Sequence, residues 1–85
     1  MGAMKKFRKS IHEPEQQVFR EWLISKRKEA DLTQRQLAER LEVVHSLIGK
    51  VEKGERRLDV IEFITYCDAL KVSPSSFFNH YENRQ

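Results

Sequence analysis

Between Leu32 and Leu58 the chain carries a dense set of side chains able to read or grip a polyanion. Gln34, His45, Ser46, Gly49 and Lys50 are small or polar, and Lys53, Arg56 and Arg57 follow at once. Lys50 can donate to guanine O6 or N7, Ser46 can serve a base or a phosphate, and Val44 can touch a thymine methyl group. His45 donates or accepts according to its tautomer, which leaves its target base open. Gly49 has no side chain and permits close approach. Lys53, Arg56 and Arg57 together suit a phosphate clamp, although any one of them alone reads as a surface residue. Leu47 is the apolar exception. It is grouped with the backbone contacts, and packing on a sugar, contact with a methyl group and folding back onto the protein all stay open.

Catalysis is a weak rival. His12, His45 and His80 are scattered, and Cys67 lies on an apolar stripe, so no Ser/His/Asp or Cys/His set is credible. One cysteine makes no CxxC and no zinc spacing. The expectation is no enzyme, no metal, no cofactor and no small-molecule ligand. A single cysteine also excludes an internal disulfide, which fits a reducing cytoplasm.

The elements that must position these groups read as helices throughout. Pro14 suits a helix start, and Val18, Phe19, Trp22, Leu23 and Ala30 give a stripe to about residue 30. Trp22 reads as core or partly exposed packing, since no aromatic platform accompanies it. Thr33 and Gln36 make a capping box that opens a second helix, ending near Leu41. A third spans about His45 to Lys53, with Gly54 supplying the positive φ of its stop. Asp59 caps a fourth to about Lys71, with the stripe Val60, Phe63, Ile64, Cys67 and Leu70. Ser73-Pro74 starts a fifth, carrying Phe77, Phe78 and Tyr81. The expectation is an all-α, compact five-helix domain over 14–83, preceded by a basic arm at 1–13. Met1-Gly2-Ala3 reads as a cloning scar before a natural start at Met4. The Lys5-Lys6-Phe7-Arg8-Lys9 run reads first as a solvated tail rather than a groove-tracking arm.

Eighty-five residues allow one domain with one modest core and no separate sensing domain. No run approaches a membrane span, and no signal peptide is visible. The net charge is +3, unevenly spread. Residues 1–31 carry eight Lys/Arg against five Asp/Glu, residues 32–58 six against four, and residues 59–85 two against four. The basic side therefore lies with the arm and the second and third helices, as phosphate binding requires.

The ordered series Leu32-Thr33-Gln34, Leu37-Ala38, Val43, Ser46, Ile48, Glu52, Gly54, Arg56, Ala69-Leu70 and Val72-Ser73 resembles the Cro and phage-repressor type (XRE-like) helix-turn-helix family. Gly54 to Val60 also resembles a subgroup of small stand-alone bacterial regulators. The resemblance implies that the third helix enters the major groove of DNA N-terminus first, with Val44, His45, Ser46, Gly49 and Lys50 at the base-reading positions. It places Gln34 at a phosphate, where the N-terminus of the second helix favours an anion. It also pairs Arg27 with Glu52 as a structural ion pair. Homodimerisation through Phe77, Phe78 and Tyr81 and a palindromic operator are implied in turn. Repressor and activator roles both stay open, the second requiring contact with polymerase. The alternative is an antitoxin or another protein-interaction module of the same fold, with a toxin as partner.

Three positions depart from the family pattern. Glu42 stands where Gly is usual, at a left-handed position costing about 1 kcal/mol. Val44 replaces the usual Ser or Thr cap, and Asp31 replaces a Gly. Glu42 and Val44 weaken the turn locally and leave the start of the third helix open by a residue or two, while Asp31 is the smaller departure.

Overall fold

Five helices follow one another in a computed structural model of the protein, which describes residues 14–84. They are α1 (Pro14–Glu29), α2 (Gln34–Leu41), α3 (His45–Lys53), α4 (Val60–Leu70) and α5 (Pro74–Asn83). The chain is all-α over the described residues; the basic arm lies outside them.

Local chemistry sets most of the ends. The Thr33 hydroxyl accepts from the Gln36 N–H at 3.0 Å, and the Gln36 side chain accepts from the Thr33 N–H at 2.9 Å. Asp59 and Glu62 repeat this box on α4, at 2.7 and 2.9 Å. Each box satisfies two amide groups that a helix start leaves without an intrahelical partner. Ser73 caps α5, whose first residue is Pro74. Gly54 ends α3 at φ 82°.

The turn between α2 and α3 is built at a local cost. Glu42 adopts φ 58°, as its replacement of a glycine demands, and Val43 N–H then bonds back to Ala38 at 3.0 Å. Val44 occupies the N-cap of α3 with no side-chain hydrogen bond. A Ser or Thr there stabilises a helix by about 1 kcal/mol relative to an apolar residue. Despite both departures α3 starts at His45, so the boundary does not slip. Asp31 and Lys71 are also left-handed; Lys71 was not foreseen.

The core draws on every helix. Trp22 and Leu23 of α1, Leu37 and Ala38 of α2, Ile48 and Val51 of α3, Phe63, Tyr66, Cys67 and Leu70 of α4, and Phe77 of α5 are buried. An aromatic cluster joins α1, α4 and α5, with Phe19 and Phe77 ring centres 5.1 Å apart and Trp22 and Phe77 5.3 Å apart in edge-to-face contact. Burial pushes the Cys67 thiol up to about 11, which keeps it protonated and inert at neutral pH.

The expected α4 stripe needs correction. Phe63, Cys67 and Leu70 are buried, but Val60 and Ile64 are exposed and Tyr66 takes a core place instead. Ile64 stands one residue from Phe63, about 100° around the helix. That step carries it past the face covered by α1 and α2.

Candidate nucleic-acid interface

α2 and α3 pack closely and leave a cleft of about 280 Å³ on their outer side. Its lining is Gln34, His45, Ser46, Gly49, Lys50, Lys53 and Glu55. Helical spacing explains the grouping: positions 45, 46, 49, 50 and 53 share one face of α3, while Ile48 and Val51 turn the other face into the core. Val44 stands at the leading end, 70% exposed.

The back of this face is held by a polar network. Arg27 Nε donates to Glu52 Oε2 at 2.7 Å, and Nη2 donates to Oε1 at 3.1 Å. Arg27 Nη1 also donates to the Leu32 carbonyl at 2.8 Å, tying the α1–α2 loop to the same group. The two side chains retain only 11% and 6% of their exposure. The hydrogen bond to Glu52 raises the Arg27 pKa, keeping the guanidinium charged. Gln34 joins through its Nε2, which donates to Glu52 Oε1 at 2.9 Å. The phenol of Tyr66 is buried beside this pair, and burial together with Glu52 pushes its pKa up.

Not every residue singled out in sequence reaches the cleft. Leu47 is half-buried and lines a separate apolar groove of about 170 Å³ with Leu41, Val43, Ile48 and Ile61, so it folds back onto the protein. Arg56 donates through Nη1 and Nη2 to Glu62 at 2.8 and 2.9 Å and through Nη1 to the Arg57 carbonyl. Arg57 lines clefts shared with α1 and α5. Of the three basic residues expected as a clamp, Lys53 alone lines the recognition cleft. Glu55 lines it too, and sequence reasoning missed it. The only signal was its place just after the Gly54 stop, where its N–H bonds back to the Lys50 carbonyl at 2.8 Å. At the far end, Phe77 is core, Tyr81 is half-buried, and Phe78 is 53% exposed.

A family described as helix-turn-helix matches residues 23–77. Among solved structures, the chain is similar to an XRE-family like protein from Pseudomonas syringae pv. tomato str. DC3000. The two are 35% identical with a TM-score of 0.80, over 96% of this chain and 95% of the other. No curated protein matches. The chain belongs to the XRE family of helix-turn-helix proteins.

As an XRE-family member the protein is a DNA-binding regulator, and the matched residues span the whole α2–α3 unit and its cleft. XRE helix-turn-helix domains bind DNA and are not enzymes. No helix of the described residues is long and apolar enough to cross a membrane.

In this XRE chain the Arg56–Glu62 pair links the loop after α3 to α4, and it has a pH signature. The Arg56 side-chain bond, then the Asp59 N–H, hold the Glu62 carboxyl down at about 2. A depressed folded pKa contributes stability above the ordinary carboxylate range and loses it as pH falls towards the folded value. The melting-temperature gap between wild type and Glu62→Gln is expected to stay constant above about pH 5 and to close between about pH 5 and 2. A gap unchanged down to pH 2, by circular dichroism melts, counts against this ion pair.

Proposed function

We propose that the protein binds duplex DNA as a homodimer and reads a palindromic operator through α3, regulating transcription from the cytoplasm. The observation that carries this reading is the single cleft that gathers Gln34, His45, Ser46, Gly49, Lys50 and Lys53 on one outward face. Val44, His45, Ser46 and Lys50 face base edges; Lys53 and the amide groups starting α2 face phosphates. Arg57 is assigned to phosphate from outside the recognition cleft, and Arg56 contributes only by releasing Glu62. The Arg27–Glu52 pair acts structurally, holding α3 at a fixed angle to α1 and α2.

Pairing of two copies is supported by exposed apolar side chains on α4 and α5. Phe78 and Tyr81 of α5 supply the contact; Phe77 is already spent in the core, so it supports the interface from beneath. Val60, Ile61 and Ile64 add exposed apolar side chains on α4. Two recognition helices about 34 Å apart then meet successive major grooves on one side of the duplex.

The test is selection from a random duplex library at moderate salt, followed by titration of Lys50→Ala. An enriched palindrome is expected, with Lys50→Ala losing about 1–3 kcal/mol of discrimination at one base pair per half-site. Equal weakening on operator and random DNA contradicts the base-reading role of Lys50. Folded protein that retains no DNA transfers the first place to a protein-interaction module.

A further inference from the structure

We propose that the chain's own N-terminal arm docks on the domain, setting the apolar side chains of Phe7 and Ile11 into the groove between α1 and α5 and so competing with a second copy for Phe78 and Tyr81. The competition rests on the pairing proposed above; the docking stands without it.

The groove has a volume of about 340 Å³, and Phe19, Leu58, Phe77, Phe78 and Tyr81 supply its apolar lining. Glu15 and Gln16 line it too, and they belong to the first turn of α1, so the preceding residues leave α1 at the groove itself. Phe78 has one side of its ring near Phe77 and Phe63, with ring centres 5.6 and 6.2 Å away, and is 53% exposed on the other. An open aromatic ring in the wall of such a groove is surface that an occupant would remove from water.

The neighbouring stretch of chain fits that surface. Thirteen residues precede Pro14. An extended chain spans up to about 3.5 Å per residue, so Ile11, three positions before Pro14, and Phe7, seven before, are both within reach of the groove. These two stand four positions apart, the spacing that brings apolar side chains to one side of a helical turn. The cations around them, Lys5, Lys6, Arg8 and Lys9, meet a surface of opposite sign. Glu15 and Arg57 in the lining cancel, while residues 59–85, which include α4 and α5, carry two Lys/Arg against four Asp/Glu.

Tethering decides between the two occupants. A segment joined to the groove by a few residues is present there at an effective concentration on the order of millimolar. A second copy free in solution is far more dilute. In the monomer the arm therefore holds the groove, and pairing through α5 has to displace it. The arm becomes a built-in competitor of self-association in place of a solvated tail.

The test uses the full chain carrying Phe7→Ser or Ile11→Ser, substitutions that leave every residue of the buried core in place. The ring signals of Phe78 and Tyr81 are followed by NMR over a dilution series, and the dimer dissociation constant by analytical ultracentrifugation. At the dilute limit both substitutions are expected to move these signals. The dissociation constant of the Phe7→Ser protein should fall by about tenfold, the worth of one aromatic side chain withdrawn from the competition. Ring signals that stay in place at the dilute limit overturn the docking, since Phe78 and Tyr81 then meet only water or a second copy. Signals that move while the dimer weakens or keeps its dissociation constant overturn the competition. Signals that move with no dimer at any concentration keep the arm in its groove and remove the pairing reading instead.

Discussion

Glu52→Ala is expected to lower the unfolding free energy by about 3–5 kcal/mol, because it strands a buried guanidinium. Arg27 keeps only its bond to the Leu32 carbonyl and loses both bonds to the carboxylate. With so little exposure, the remaining charge has no water to take over. Gln34 also loses its acceptor. For a domain of this size the melting temperature should fall by more than about 10 °C. The worth of the pair itself is a different quantity. Two apolar groups of similar volume remove the desolvation cost along with the attraction, so Arg27→Met combined with Glu52→Leu should recover most of the loss. Urea unfolding at fixed protein concentration checks both variants. A double variant as unstable as the single would mean that the ion pair stabilises the fold outright, contrary to this account.

Ile48→Ala is expected to cost about 2–5 kcal/mol, while Ile61→Ala changes monomer stability by no more than about 0.5 kcal/mol. Both are isoleucines on helices. Ile48 retains none of its exposure and belongs to the buried core with Leu37 and Val51, whereas Ile61 remains 67% exposed on α4. Truncating the first leaves a cavity behind the recognition helix, and α3 loses one of its two buried anchors. Truncating the second removes surface that only a partner copy would cover. Its effect should therefore appear in the dimer dissociation constant, read by analytical ultracentrifugation, and not in the melt of dilute protein. Equal destabilisation by the two substitutions would place Ile61 in the monomer core and remove it from the proposed pairing surface.

Much of the frame was legible in the chain because it is written within a few residues. Thr33 with Gln36 opens α2, Ser73-Pro74 opens α5, and Gly54 closes α3. Each acts through hydrogen bonds or a φ preference spanning one turn, and the observed helix bounds agree with the expected ones to within a residue. The α4 cap at Asp59 was legible for the same reason. The strained Glu42 was legible only against the family pattern. Lys71 was not, since nothing local to it demands a left-handed conformation.

What escaped the sequence lies between elements. Phe77 and Phe78 are neighbours of the same type, yet one is core and the other exposed, because a single step turns about 100° around α5. Val60 and Ile64 look as apolar as Phe63 and differ only in which side of α4 the other helices cover. Arg56 reads as a free cation until Glu62, six residues on, is brought to it by the turn into α4.

By itself, then, the sequence determined the five helices, their caps, the basic side of the molecule and the family. These follow from periodicity and short-range chemistry, whose energies are settled within a turn or two. Tertiary structure alone decided which polar groups share the cleft and which way they point. The crossing of α2 over α3 brings Gln34 to Glu52, 18 positions away, and turns its oxygen over Gly49. A carboxylate's hydrogen-bond demand is satisfied by whatever the packed helices place within 3 Å of it, and that distance is set by the core, not by spacing along the chain.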